Sequence, residues 1–167
     1  MTIARQLADF AAATEAAKLP ARARETIRLL MLDVAGLCVA ARELDYVAAA
    51  RGSIGSSGKA TAIGHAGGYG PYDAALVNGT AAHAFELDDY HNAKLHPGAV
   101  VVPAAIATAE RLNSSGEELV TAIAAGYEVM IRTSLALNPS ATRLRGWHLT
   151  GVCGPFAAAA ACASLMK

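Results

Sequence analysis

Apolar side chains recur along this chain every three to four residues, the period of an amphipathic α-helix. Ile3, Leu7 and Phe10 share one helical face near the N-terminus, and a second, longer stripe follows Pro20. Further helical stretches are predicted at residues 46–50, 72–85, 97–113, 115–138 and 151–166. The pattern therefore predicts six or seven helices.

Turn-forming and helix-ending residues divide these stretches. Ser115 followed by Glu118 is a capping box that starts a helix, and Pro139 is expected to end it. Residues 60–64 are predicted to be a short extended segment, and a loop is predicted through Arg143. With almost no sheet, the fold class is all-α, a multi-helix bundle whose Ala-rich faces allow close packing.

The composition limits the function classes. The 167 residues suffice for one domain with a core, and 54% of them are hydrophobic. Fourteen basic residues balance fourteen acidic ones without a basic block, so a nucleic-acid partner is not expected. The three cysteines are widely spaced, and we interpret them as buried thiols in a reducing compartment.

Neither a secretion signal nor a membrane span is predicted. The first helical pattern contains Asp9 and Glu15, which interrupt any apolar signal segment. The most apolar stretch, residues 152–166, contains Gly154 and Pro155 and is shorter than the roughly 20 residues of a span. We expect a cytoplasmic protein with no membrane partner.

The candidate chemistry is concentrated between the helices predicted at residues 72–85 and 97–113. Three histidines and three carboxylates lie within fourteen positions of a chain that is otherwise poor in charge. The polar members of this segment are His83, Glu86, Asp88, Asp89, Tyr90, His91, Lys94 and His96. Connections between helices often carry binding and catalytic groups, although such residues can also serve only to cap helix ends and solvate a loop.

His96 is the strongest single candidate in this segment. It immediately precedes Pro97, which is predicted to be the first residue of a helix. The positive end of the helix dipole favours a neutral imidazole, and a neutral imidazole can accept a proton.

A metal site is a competing interpretation of the same segment. His83, Asp88, His91 and His96 all carry possible ligand atoms. Their spacing matches no known metal motif closely, and no metal or other cofactor is our expectation.

A second candidate site is the segment around His148. This histidine precedes Thr150, a possible N-cap, and a helix whose first free N–H groups can hold a carboxylate. Arg143 and Arg145 add positive charge nearby. The structural alternative is that His148 packs against Trp147 while Thr150 only caps the helix.

Two sequence stretches resemble the 2-methylcitrate dehydratase (MmgE/PrpD) family. The first is the run NGTAAHAFELDDYH at residues 78–91, which continues as HPGAVVVPA at residues 96–104. The segments GYEV at residues 126–129 and GWHLTG at residues 146–151 follow in the order that the family has. The resemblance covers nearly the whole chain and implies the N-terminal part of the family's helical domain.

The resemblance implies lyase chemistry on a small polycarboxylate substrate. Family activities include dehydration of 2-methylcitrate, decarboxylation of cis-aconitate and epimerisation of iminodisuccinate. Each makes or quenches a carbanion-like centre next to a carboxylate, which requires a base and a proton donor. Of these we expect a 2-methylcitrate dehydratase-like activity, with the other two as alternatives, and the resemblance implies no metal and no iron–sulfur cluster.

By similarity, His96 and His148 match the two histidines that this part of the family contributes to the active site, and Glu86 and Tyr90 join them as catalytic candidates. Glu86 stands where cis-aconitate decarboxylase has an aspartate, and Tyr90 where that enzyme has a threonine. These differences argue for another polycarboxylate, because they would reshape the pocket. The substrate-binding candidates are Asp89, His91, Lys94, Arg145 and Thr150.

Family members are much longer than this chain. They have an active-site lysine on further helices and a smaller α+β domain that supplies another histidine. We therefore expect residues 1–167 to be a single helical domain, incomplete at its C-terminal end. A homodimer, or association with a separate C-terminal segment, is expected, and the competing hypothesis is a non-catalytic helical fragment or subunit.

Overall fold

A computed structural model describes all residues from Met1 to Lys167 and contains eight α-helices. A single 3₁₀ turn, Ala16–Lys18, and one short strand, β1 (Ser57–Ala60), complete the regular structure. The helices are α1 (Ile3–Ala13), α2 (Ala21–Ala41), α3 (Asp45–Gly52), α4 (Pro71–Ala82), α5 (Gly98–Leu112), α6 (Gly116–Ala136), α7 (Pro139–Leu144) and α8 (Leu149–Leu165). The predicted all-α class is confirmed, with eight helices where six or seven were predicted.

Local sequence signals account for several helix ends. The capping box at α6 forms as predicted, because Ser115 accepts from the Glu118 N–H while the Glu118 side chain accepts from the Ser115 N–H. The C-cap of α5 is Asn113, whose φ of 58° is the left-handed conformation common at helix ends. Pro97 is the N-cap of α5, so that helix begins one residue later than predicted.

The helix missed by the sequence reasoning is α7, which occupies the stretch predicted to be a loop. Asn138 adopts a left-handed φ of 53°, and its side chain accepts from the Ala141 N–H at 3.4 Å. Pro139 is therefore the first residue of a new short helix as well as the reason why α6 ends at Ala136. The loop prediction was wrong because this Asn-Pro pair starts a helix.

Two other boundaries also differ from the prediction. The strand is Ser57–Ala60, earlier than the extended segment predicted at residues 60–64, and it bridges to Tyr69. Helix α4 ends at Ala82, three residues before the predicted end, because His83 leaves helical geometry and becomes the C-cap. This early end releases the His83 side chain and the following segment from the helix.

The core lies where α5, α6 and α8 pack against one another. Its side chains are mostly Val, Ala and Ile, and Val101, Ile123 and Ala157 are fully buried. Close approach depends on Gly126, where an added Cβ would lie 2.6 Å from Val101 Cγ1 and 3.1 Å from the Ala157 carbonyl oxygen. The small side chains of these helices therefore bring their backbones together.

Helix α6 is long and apolar enough to cross a bilayer by length and composition alone. Half of its most apolar 18-residue stretch is buried inside the fold, where α6 packs against α5 and α8. Core helices of globular domains pass the same test, so packing accounts for its apolar character.

Candidate active site

The candidate site lies where the end of α4, the segment 83–97 and the start of α8 meet. Within this segment the His91 N–H donates to the Leu95 carbonyl at 2.9 Å, and Lys94 takes a left-handed φ of 62° to close the turn. The buried Ser134 hydroxyl of α6 donates to the Ala93 carbonyl at 2.7 Å. The segment is thereby attached to the core of the bundle.

Three imidazoles converge at this junction, and we call His83, His96 and His148 the imidazole cluster. The ring centroids of His83 and His96 lie 5.0 Å apart, edge to face. Those of His83 and His148 lie 6.4 Å apart. The two histidines predicted to be catalytic, 52 residues apart in sequence, are thus both brought close to a third one.

A buried carboxylate lies against two of these rings. The side chain of Asp88 is 0% exposed, and its Oδ1 lies 2.9 Å from His83 Nδ1, at hydrogen-bonding distance. The same oxygen lies 3.4 Å from His96 Nδ1. That second contact is close enough for electrostatic attraction but is not aligned as a hydrogen bond. His96 Nδ1 and the other carboxylate oxygen, Asp88 Oδ2, are both buried without a hydrogen-bond partner.

The loop and the start of α8 are joined directly by a hydrogen bond. The backbone N–H of His96 donates to Thr150 Oγ1 at 3.1 Å, and Thr150 is buried. The N-cap of α8 is His148, so the expectation that Thr150 caps this helix was wrong. Thr150 lies inside the first turn, where its hydroxyl serves the neighbouring segment and fixes His96 relative to His148.

Asp89 faces the start of α5. Its Oδ1 accepts from the Gly98 N–H at 2.8 Å, and its Oδ2 accepts from the Tyr127 hydroxyl at 3.1 Å. Burial raises the pKa of Asp89 above its usual value, although both hydrogen bonds oppose that shift. Burial and the adjacent Asp89 charge also raise the pKa of the Tyr127 phenol. Tyr127 was not predicted as a site residue, and only its place in the GYEV segment pointed to it.

An open cavity of about 630 Å³ lies beside the imidazole cluster. His83, His148 and Thr150 line it together with small residues of α4 and α5. No Lys or Arg side chain lines the cavity, so its polar donors within this chain are imidazoles, hydroxyls and first-turn N–H groups of α8.

The other predicted residues are distributed unevenly around this cavity. The Tyr90 ring lies 5.5 Å from that of His96 and remains half exposed. Glu86 is 79% exposed, with its carboxylate 4.0 Å from His83 Nε2. Both thus lie next to the imidazole cluster but do not line the cavity.

Three predicted substrate-binding side chains lie elsewhere or are already engaged. His91 Nδ1 accepts from the Ala93 N–H at 3.1 Å and so folds back on its own turn. Lys94 is half-buried in that turn and has no ion-pair partner, and Arg145 is exposed at the C-cap of α7, away from the cavity lining.

Sequence reasoning considered His83 and Asp88 only as possible metal ligands, yet the structure places both at the centre of the site. One ligand atom from each of His83, Asp88 and His96 lies within 4.8 Å of the others. The 2.9 Å contact between His83 and Asp88 is a hydrogen-bond distance, which accounts for this geometry by itself. His91 is not a member of the group.

A helical domain that holds three imidazoles and a buried carboxylate beside a cavity has the groups that acid–base chemistry uses. Residues 5–167 match the family description "MmgE/PrpD N-terminal domain". The chain belongs to the MmgE/PrpD family.

Two curated relatives are similar over part of their length. A cis-aconitate decarboxylase-like protein of Aspergillus oryzae is 38% identical over 117 residues, covering 65% of this chain and 24% of the relative. A cis-aconitate decarboxylase of Aspergillus terreus is 34% identical over 158 residues, covering 89% of this chain and 32% of the relative. The chain thus spans between a quarter and a third of the length of these relatives.

Proposed function

We propose that this chain supplies part of the active site of a lyase that moves a proton next to a carboxylate of a small polycarboxylate. The observation that carries the proposal is that His83 and His148 line the cavity at the start of α8, while the His96 ring packs edge to face against that of His83. Imidazoles titrate near neutral pH, so they can both accept and donate protons there.

Within this proposal His96 and His148 are the proton-transfer residues. The rings of both residues lie near that of His83, and two imidazoles allow one to act on a substrate carbon while the other acts on a leaving group. The first-turn N–H groups of α8, at Thr150 and Gly151, border the cavity and suit a substrate carboxylate. The positive charge that a polycarboxylate needs would have to come from groups other than the residues that line this cavity.

The finer proposal is dehydration of a 2-methylcitrate-type substrate. Dehydration fits a pair of imidazoles, because one takes the proton next to the carboxylate while the other protonates the departing hydroxyl. The exposed Glu86 lies near His83 and the ring of Tyr90 lies near His96, and within this proposal both help to choose the substrate.

Decarboxylation of cis-aconitate is the second candidate, and the names of the two Aspergillus relatives favour it. Both candidates act on a tricarboxylate, but dehydration removes a proton from carbon whereas decarboxylation adds one. They differ in the group that leaves, water in one case and carbon dioxide in the other.

The test is turnover by the intact or complemented protein with 2-methylcitrate, cis-aconitate and iminodisuccinate, each offered separately. We expect alkene formation from 2-methylcitrate, whereas carbon dioxide release from cis-aconitate would select the second candidate. A His96→Ala, His148→Ala double variant should lose roughly 100-fold or more in kcat. His65→Ala is the matched control, since His65 is not a member of the imidazole cluster.

Undiminished turnover in the double variant would reject the assigned roles. Failure of the intact protein to turn over any of the three compounds would favour a non-catalytic helical subunit.

A further inference from the structure

The carboxylate of Asp88 lies between two members of the imidazole cluster and faces the same nitrogen of each. Its Oδ1 is 2.9 Å from His83 Nδ1 and 3.4 Å from His96 Nδ1. We propose that Asp88 is a positioning residue that holds both rings in the tautomer with hydrogen on Nδ1, leaving Nε2 of each ring free to accept a proton. The catalytic meaning of this arrangement rests on the proposed function, but the tautomers themselves do not.

The first step of the argument concerns His83. An ionised carboxylate only accepts hydrogen bonds, so a ring nitrogen at 2.9 Å from it must carry the hydrogen. The hydrogen bond made by one ring nitrogen decides the state of the other. His83 Nδ1 is therefore the protonated nitrogen, and Nε2 holds the lone pair in the neutral ring.

The second step concerns His96, whose Nδ1 is buried and has no aligned hydrogen bond. The Oδ2 atom of Asp88 is buried and unpartnered as well. A carboxylate has lone pairs for several donors. Two buried polar atoms on neighbouring side chains are stabilised if they form a hydrogen bond with each other. If His96 Nδ1 instead held its lone pair, two acceptors would face each other at 3.4 Å in a site with 0% exposure of the Asp88 side chain.

No other acidic group competes for this role. Asp89 is occupied by the Gly98 N–H and the Tyr127 hydroxyl, and it faces the start of α5. Glu86 is exposed and approaches His83 only at Nε2, at 4.0 Å. Asp88 is thus the common anchor of the two rings, and Thr150 holds the His96 backbone from the other side.

The experiment is long-range ¹⁵N–¹H correlation NMR of the chain, which separates protonated from unprotonated ring nitrogens. The chain has five histidines, and single His→Gln variants assign them. At a pH where the rings are neutral, we expect His83 and His96 to be protonated on Nδ1 and unprotonated on Nε2. Protonation of Nε2 in either ring of the unaltered chain would overturn the proposal. This result does not depend on whether any Asp88 variant folds.

Asp88→Ala tests the cause. The change removes the oxygen that Nδ1 of both rings faces, so at least one ring should lose its preference for hydrogen on Nδ1. Glu86→Gln is the matched control, because it removes a negative charge near the same ring without touching Nδ1, and it should leave both tautomers unchanged. Unchanged tautomers in a folded Asp88→Ala variant would refute the role of Asp88.

Activity provides a separate readout. In a protein that turns over substrate, Asp88→Ala should lower kcat by roughly 100-fold or more, the scale of a general acid–base contribution. If no substrate is turned over, the proposed function fails while the tautomer result stands. If turnover depends on His96 but Nε2 is the protonated nitrogen, the positioning role fails and the proposed function survives.

Discussion

Replacing Gly98 by alanine tests how tightly the acidic segment is bound to α5. Gly98 is the first residue of that helix and is buried, and its N–H donates to Asp89 Oδ1 at 2.8 Å. A Cβ at this position would overlap Asp89 Oδ1 and lie 3.1 Å from the Tyr127 hydroxyl. The carboxylate must therefore move and weaken the contacts that hold it.

The expected loss follows from these contacts. A hydrogen bond to a charged group stabilises the fold by about 1.5–3 kcal/mol. Replacement of glycine by alanine itself stabilises the fold by about 0.4–1 kcal/mol, because it lowers the conformational entropy of the unfolded chain. Gly98→Ala should thus destabilise the fold by about 1–2 kcal/mol. Gly116→Ala is the matched control: Gly116 is the first residue of α6, and its added Cβ would meet no atom within 4 Å.

Urea unfolding followed by far-UV circular dichroism measures both variants. With a slope near 2 kcal/mol/M, the Gly98→Ala midpoint should fall by about 0.5–1 M, while Gly116→Ala should match or exceed the parent chain. If the two variants had equal midpoints, the overlap with Asp89 would not lower the free energy of unfolding. The hydrogen bonds of Asp89 would then not stabilise the contact between the acidic segment and α5.

Three further measurements address the buried groups. Burial raises the pKa of Cys38 to about 11. A thiol reagent at pH 8 should therefore label the half-buried Cys162 in the folded chain, but Cys38 only after denaturation. Rapid labelling of Cys38 in the folded chain would contradict its burial. Because burial raises the pKa of Asp89, its stabilising contribution is complete below about pH 4 and is lost as pH rises through the folded-state value. The stability of Asp89→Asn relative to the parent should therefore increase over that pH window, and a constant difference would refute this. Elemental analysis of the purified protein should find no stoichiometric metal, since the sequence spacing of His83, Asp88 and His96 matches no known metal motif; one zinc per chain retained after chelator treatment would contradict it.

Features determined by near neighbours could be predicted from the sequence. The capping box of α6 needs only Ser115 and Glu118, which lie three positions apart, and both of its hydrogen bonds form. The same holds for the helical periods of the long helices, whose apolar stripes face the core. Local chemistry thus predicts most helices without knowledge of the tertiary structure.

Features that depend on tertiary contacts were not predictable in this way. Both His91 and His96 were predicted as site residues of one polar segment, yet one accepts a hydrogen bond from its own turn and the other reaches α8 through Thr150. Thr150 looked like an N-cap for the same reason, since a buried partner 54 positions away is not visible in a local pattern.

Asp88 shows the limit most clearly. Asp88 and Asp89 are adjacent, and periodicity cannot say which carboxylate meets the histidines once the helix has ended at Ala82. The structure turns Asp88 towards His83 and Asp89 towards α5. The resemblance to the family directed attention to His96 and His148, whereas the buried partner that joins two of the imidazoles required coordinates.

The precision of the site derives from the helices that carry it. His148 is the N-cap of α8, and His96 lies two residues before the start of α5. These two helices pack closely in the core, where a Cβ added at Gly154 of α8 would lie 3.1 Å from Val100 Cγ1 of α5. Any change that separates α5 from α8 must therefore also separate the two imidazoles, because the Thr150–His96 hydrogen bond is the direct link between their ends. Small residues at this interface thus fix the geometry of proton transfer as well as the stability of the fold.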